Sequence, residues 1–199
     1  MHKYTFLLPL LLVFTFSCNA MAVRSASIVM PFSVSGELTE TEDGSSYSEE
    51  NDIDYTGVGF RYEETYDSVG LGVEFTPSAT YTLPNSVWVA NGPSAEFSST
   101  EIGVFARKYL ADERFFVEAV TMLGMGLEAN APSGIAYPDS DPYVNLKLSV
   151  GSRIEISPEI FGEISAGLIQ TLVPATYPGY YVEESISAVG ISAGIGVYF

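Results

Sequence analysis

The chain has 199 residues and carries 25 Asp and Glu against 8 Lys and Arg, a formal net charge of −17. That leaves too little base to bind nucleic acid through its phosphates. The single Cys and single His are Cys18 and His2, so a mature chain starting at Val23 has no disulfide, no zinc site of the usual His/Cys kind and no imidazole to activate a Ser or Thr nucleophile.

The first 22 residues read as a secretory signal peptide. His2 and Lys3 precede an apolar run from Tyr4 to Phe16, and Ala20-Met21-Ala22 supplies a small-x-small cleavage site. The run is too short for a membrane-spanning helix, which needs about 20 residues. Lipoprotein processing at Cys18 is the weaker alternative, because Thr15-Phe16-Ser17 fit a lipobox poorly. Residues 23–199 then form one domain.

Period-2 alternation marks eight strands along that domain. The first runs near Ser25 to Leu38, with Ile28, Met30, Phe32 and Val34 on one face and Ser27, Ser33, Ser35 and Glu37 on the other. The second, around Tyr55 to Glu63, sets Val58, Phe60 and Tyr62 against Gly57, Gly59, Arg61 and Glu63. The third, Val69 to Leu83, sets Val69, Leu71, Val73, Phe75, Ala79 and Tyr81 against Gly70, Gly72, Glu74 and Thr76. The fourth, Phe97 to Tyr109, opposes Ile102, Val104 and Ala106 to Glu101, Gly103, Phe105 and Arg107.

The fifth strand covers Phe115 to Leu127, with Glu118, Gly124 and Gly126 on its polar face. The sixth, Tyr143 to Ile156, sets Leu146, Leu148, Val150 and Ile154 against Asn145, Lys147, Ser149, Arg153 and Glu155. The seventh, Ile160 to Leu172, sets Ile164, Ala166 and Leu168 against Glu163, Ser165 and Gly167. The last, Val189 to Phe199, alternates Val189, Ile191, Ala193, Ile195, Val197 and Phe199 with Gly and Ser.

Short links at Glu64–Asp67, Leu110–Arg114 and Ser157–Glu159 alternate with long ones at Thr39–Asp52, Pro84–Ala95, Glu128–Pro142 and Val173–Glu184. This is the rhythm of a bacterial barrel with short periplasmic turns and long extracellular loops, which puts both termini on the periplasmic side. A soluble eight-stranded barrel also alternates, with its apolar face inward. The polar face discriminates: it is rich in Gly, Ser and Thr, whereas a solvent-facing exterior carries far more Lys and Glu. Aromatics placed toward the turns (Tyr62, Phe75, Phe115, Phe199) and toward the loops (Tyr81, Trp88, Phe97, Tyr143) suit two interfacial belts. The expected fold is an all-β, eight-stranded antiparallel up-and-down transmembrane β-barrel.

In this register Arg61, Arg107, Lys147 and Arg153 project inward with Glu37, Glu63, Glu74, Glu101, Glu118, Glu155 and Glu163. The candidate lumen charge network is Arg61, Glu74, Arg107, Glu118, Lys147, Arg153, Glu155 and Glu163. Buried charges must pair, so the network either plugs the lumen or gates an ion path, and an excess of acid favours cations. The inward glycines leave room for such a passage. The Gly-x-Gly pairs open no helix and cradle no phosphate. No carboxylate pair stands out for acid–base work, so the chain is expected not to be an enzyme and to hold no cofactor. The acidic first loop, Glu40 to Asp54, is a solvated segment or a site for divalent cations bridging to lipopolysaccharide phosphates. Asp139-Ser140-Asp141 and Tyr177-Pro178-Gly179-Tyr180-Tyr181 are further candidate contact points.

The strand–turn rhythm, the inward Arg/Glu set and the strand closing on Phe199 resemble small eight-stranded outer-membrane barrels, such as the membrane domain of outer-membrane protein A and its porin-family relatives. The resemblance covers the whole mature chain. It implies residence in the bacterial outer membrane, contact with lipid and lipopolysaccharide, and a terminal Phe199 read by the barrel assembly machinery. The resemblance is specific for architecture and unspecific for activity. The residues themselves point to a non-enzymatic structural or surface-interaction role carried by the acidic loops, with a narrow cation-preferring channel as the alternative.

Overall fold

The computed structural model describes residues 22–42, 45–49, 54–83, 95–110, 114–125, 128–130, 142–177 and 180–199. The expected signal peptide therefore lies outside the described residues. Among the described residues there are eleven strand segments: β1 (Val23–Glu42), β2 (Ser45–Glu49), β3 (Asp54–Gly57), β4 (Gly59–Tyr66), β5 (Val69–Leu83), β6 (Ala95–Leu110), β7 (Phe115–Gly124), β8 (Glu128–Asn130), β9 (Tyr143–Ser157), β10 (Ile160–Tyr177) and β11 (Tyr180–Tyr198).

These segments make eight staves of one closed antiparallel barrel. β3 and β4 both pair with β5, β7 and β8 both pair with β6, and β2 folds back on the end of β1. The order around the wall is β1, β4, β5, β6, β7, β9, β10, β11. β11 then pairs with β1 from Ser25 opposite Tyr198 to Glu42 opposite Val182, which closes the ring and removes both sheet edges.

The two faces are inverted relative to a soluble barrel. Ile28, Phe60, Val73, Ile102, Val117, Leu148, Ile164, Leu168 and Ile195 face outward, Leu148 with 56% of its surface exposed. Arg61, Glu63, Glu101, Arg107, Glu118, Arg153 and Glu163 are buried inside. A predominantly apolar exterior around a charged interior suits a hydrocarbon surround.

The turn at one end is built tightly. Asp67 takes a left-handed φ of 52° in the two-residue link between β4 and β5, a conformation that Asp tolerates better than most side chains. Ser157 Oγ accepts from the backbone N–H of Glu159 at 3.3 Å and of Ile160 at 3.1 Å, which shapes the link between β9 and β10.

Several expectations are corrected. The Val173–Glu184 link, read as a loop, is mostly strand: β10 runs to Tyr177 and β11 begins at Tyr180. The Thr39–Asp52 link likewise contributes the end of β1 and all of β2. Pro174, Pro178 and Gly179 in one link and the run of polar residues in the other break the alternation, so periodicity gives no strand signal. Phe75 faces outward at mid-strand, not at the turn end. Tyr81 and Tyr143 face the lumen and belong to no belt.

Two bulges interrupt the register. The register of β5 shifts between Thr76 and Ala79, so Thr76, Ala79 and Tyr81 all point inward. A bulge adds one residue and reverses parity beyond it. A second register shift falls between Pro31 and Ser33 on β1, and the side chain of Glu37 beyond it lies outside the described residues.

Candidate functional site in the barrel lumen

The inward positions near the turn end bring three guanidinium groups against four carboxylates. Glu118 on β7 is the hub. Its Oε2 accepts from Arg107 Nη2 at 2.6 Å and Arg61 Nη1 at 2.9 Å, and its Oε1 from Ser149 Oγ at 3.3 Å. Arg61 on β4 also holds Glu74 of the neighbouring β5, Nη2 to Oε2 at 2.6 Å. Arg107 on β6 reaches across the lumen to Glu163 on β10 at 2.9 Å and to Glu63 on β4 at 3.3 Å. Arg153 on β9 donates to Glu63 at 2.7 Å and to Glu163 at 3.2 Å. Tyr109 O–H donates to Glu63 at 2.7 Å.

Aromatic rings separate and cover these charges. Arg107 Cζ lies 4.0 Å from the Phe116 ring centroid, and Arg153 Cζ lies 4.0 Å from that of Phe161. Arg61 lies 5.0 Å from the Phe105 centroid. Each guanidinium thus meets carboxylate along its edge and a π face along its plane, the two partners it accepts once water is removed.

Of the candidate residues, Arg61, Glu74, Arg107, Glu118, Arg153 and Glu163 converge in this one network. Lys147 is inward but stands beside it, its Nζ 3.3 Å from Ser192 Oγ, with no ion pair among the described residues. Glu155 does not belong. It is exposed at the turn-end mouth, beyond the ring layer of Phe161 and Tyr198, and makes no ion pair among the described residues. The parity of β9 is right for Glu155; its height along the barrel axis is not, and parity carries no height. Glu63, inward by parity, is a member of equal weight to the others.

Gly57, Gly59 and Gly190 border the loop-side space, but the room beside other inward glycines is filled by neighbouring side chains. A Cβ on Gly124 would strike the Tyr143 ring, one on Gly196 the Phe161 ring, and one on Gly70 the Glu63 carboxylate. They make room for large side chains from adjacent staves. A vestibule of about 790 Å3 opens at the turn end, lined by Tyr109, Arg114, Arg153, Glu155 and Tyr198. A second space of about 50 Å3 lies on the loop side, lined by Tyr55, Glu74, Thr76, Glu101, Asn145 and Lys147. Arg107, Glu118 and Glu163 line neither, so the network is packed matter between the two.

The loop-side half holds a feature that charge patterning missed. Glu101, 1% exposed, accepts O–H bonds from Tyr143 at 2.5 Å, Tyr81 at 2.6 Å and Tyr55 at 3.1 Å. Tyr55 and Tyr143 share the inward parity of their strands and were open to discovery on that ground. Tyr81 was hidden by the bulge.

No family model matches the chain, and no curated protein matches it in sequence. Among solved structures, the outer membrane protein OprG from Pseudomonas aeruginosa is similar with a TM-score of 0.56 at 10% identity, over 89% of this chain and 94% of that one. Neisserial surface protein A gives a TM-score of 0.48 at 13% identity, over 90% and 98% of the two chains. The chain has the fold of small eight-stranded outer-membrane β-barrels.

Proposed function

We propose that the protein is a non-enzymatic integral barrel of the bacterial outer membrane, with both mature termini periplasmic. Its role is structural or one of surface interaction, carried by acidic extracellular loops. The observation that carries this reading is the buried charge network across the lumen. An Arg–Glu network with Arg107 only 2% exposed spans the interior, so the chain's means of acting on its surroundings lie at the wall and the loops. The apolar exterior supports placement in lipid. The acidic segment Glu40–Asp54 is the proposed contact for divalent cations and, through them, lipopolysaccharide phosphates. The test is deletion within that segment: assembly stays intact while binding to lipopolysaccharide in magnesium is lost. Unchanged binding removes the loop from the proposal.

Phe199 is proposed as part of the signal read by the assembly machinery. It faces outward on the turn-end rim, its ring 6.3 Å from that of Tyr62. Phe199→Ala is expected to lower the amount assembled in cells and to leave refolding in detergent unchanged. Equal loss in both assays makes the ring a packing residue instead.

A narrow cation-preferring channel is the second reading, favoured by the acid-lined space beside Glu74 and Glu101. Single-channel recording separates the two. A silent bilayer from folded protein supports the plug. Discrete cation-selective steps that change on neutralising Arg107 or Glu118 replace it with the channel.

A further inference from the structure

We infer that the small loop-side cavity beside Glu101 binds one monovalent alkali cation, held by Glu101, the Asn145 amide oxygen and the Thr76 hydroxyl. Charge within the lumen comes first. Arg61, Arg107, Arg153 and Lys147 carry four positive charges against the five negative ones of Glu63, Glu74, Glu101, Glu118 and Glu163, and of those five only Glu101 has no ion pair among the described residues. Glu101 is left over, and among the described residues no Lys or Arg lies within ion-pair distance of it. A buried carboxylate without a counter-charge is costly even with good hydrogen bonds.

Asn145 gives the second, independent sign. It is 7% exposed, its Oδ1 is buried without a partner, and the residue lines the same cavity. The amide cannot be turned around to remove this. Tyr81 O–H already donates to Glu101, so its oxygen is left to accept, and it accepts from Asn145 Nδ2 at 3.3 Å. Asn145 and the buried Thr76 line the same space.

Three occupants compete. Water satisfies Asn145 but leaves the Glu101 charge. A proton on Glu101 removes the charge but adds a donor where three phenols already donate, and leaves Asn145 unpaired. A cation meets both needs, with oxygen ligands only, as a hard ion requires. A divalent ion would leave one positive charge uncompensated, so the monovalent ion fits the balance. The cavity, about 50 Å3, accommodates such an ion with one or two waters. Lys147 occupies the same wall, with its Nζ 3.3 Å from Ser192 Oγ and no ion pair to Glu101. The site is a counter-ion seat and requires no conduction.

The experiment follows the near-ultraviolet circular dichroism of the tyrosines in the purified protein in detergent. NaCl or KCl is titrated against choline chloride at constant ionic strength. A saturable change in Na+ or K+, absent in choline, is expected. Glu101→Gln abolishes it and Asn145→Ala weakens the apparent affinity at least tenfold. Urea unfolding gives a second readout that does not depend on the tyrosine signal. In choline, Glu101→Gln has the higher midpoint because it removes an uncompensated charge. In NaCl that advantage disappears, since an ion bound only to the folded state stabilises it. An identical response to choline, or a Na+ response that survives in folded Glu101→Gln, overturns the inference. A midpoint difference independent of the cation would mean water or a proton fills the site.

Discussion

Arg107 is the largest of the fully buried side chains among the described residues. It bonds Glu118, Glu163 and Glu63 and stacks on Phe116. Arg107→Met keeps the volume and removes the charge, leaving those three carboxylates short of one cation. The expected cost is about 3–5 kcal/mol, the usual penalty for breaking a buried ion cluster from one side. Urea unfolding in detergent measures it. A double mutant with Glu118→Gln should cost well below the sum of the singles, because each removes the same contact. Additive losses would show that the two groups act independently. The sequence made much of this cluster legible, since Arg61, Arg107 and Glu118 sit on the polar parity of their strands. It could not show that Glu155 stands too near the mouth, nor that a residue on β4 meets one on β10, because the distance across a closed ring is written in no single strand.

Strand existence was clear wherever a lipid-facing row alternates with a small or charged one. The errors gather where that contrast fails. Bulges at Pro31–Ser33 and Thr76–Ala79 reverse parity without changing composition, and each includes or adjoins a proline, a residue with no N–H to give the ladder. The β5 bulge makes a sharp prediction. Deleting Ser78 removes the extra residue and keeps Tyr81 inward, so the unfolding midpoint should change little. Deleting Thr80 forces Tyr81 outward and strips Glu101 of its 2.6 Å donor. That deletion should lower stability by roughly 1–3 kcal/mol, the cost of a buried acceptor left short. Equal midpoints for the two deletions would mean the bulge does not set the facing of Tyr81.

The barrel as a whole presents one apolar band to its surroundings, and the band can be tested by charge. Leu148 lies near the middle of β9 and faces outward. Leu148→Arg should destabilise the protein by about 2–4 kcal/mol in a lipid bilayer, as a cation at mid-depth does. The same change in a soluble barrel, whose exterior meets water, would be nearly neutral. Unfolding from vesicles decides between them. The net charge of −17 belongs to this scale as well, because the described lumen side chains, four basic and five acidic, account for only −1 of it. Long acidic links repel one another and resist packing, which is why the sequence marks them as loops in composition even where their ends continue as paired strand.

The seam between β1 and β11 joins the first stave to the eighth, with Ser25 opposite Tyr198 and Ile28 opposite Ile195. A ribosome makes these partners at opposite ends of its work. Until β11 has been synthesised, β1 has an exposed ladder of donors and acceptors and nothing of its own to bond them to. Closure is thus a late event with a high contact order, and slow for that reason. Throughout the wait, any other nascent copy offers an equally good edge. The nascent chain therefore depends on being held apart from its siblings, and crowding many copies during synthesis should yield interchain sheets before it yields rings.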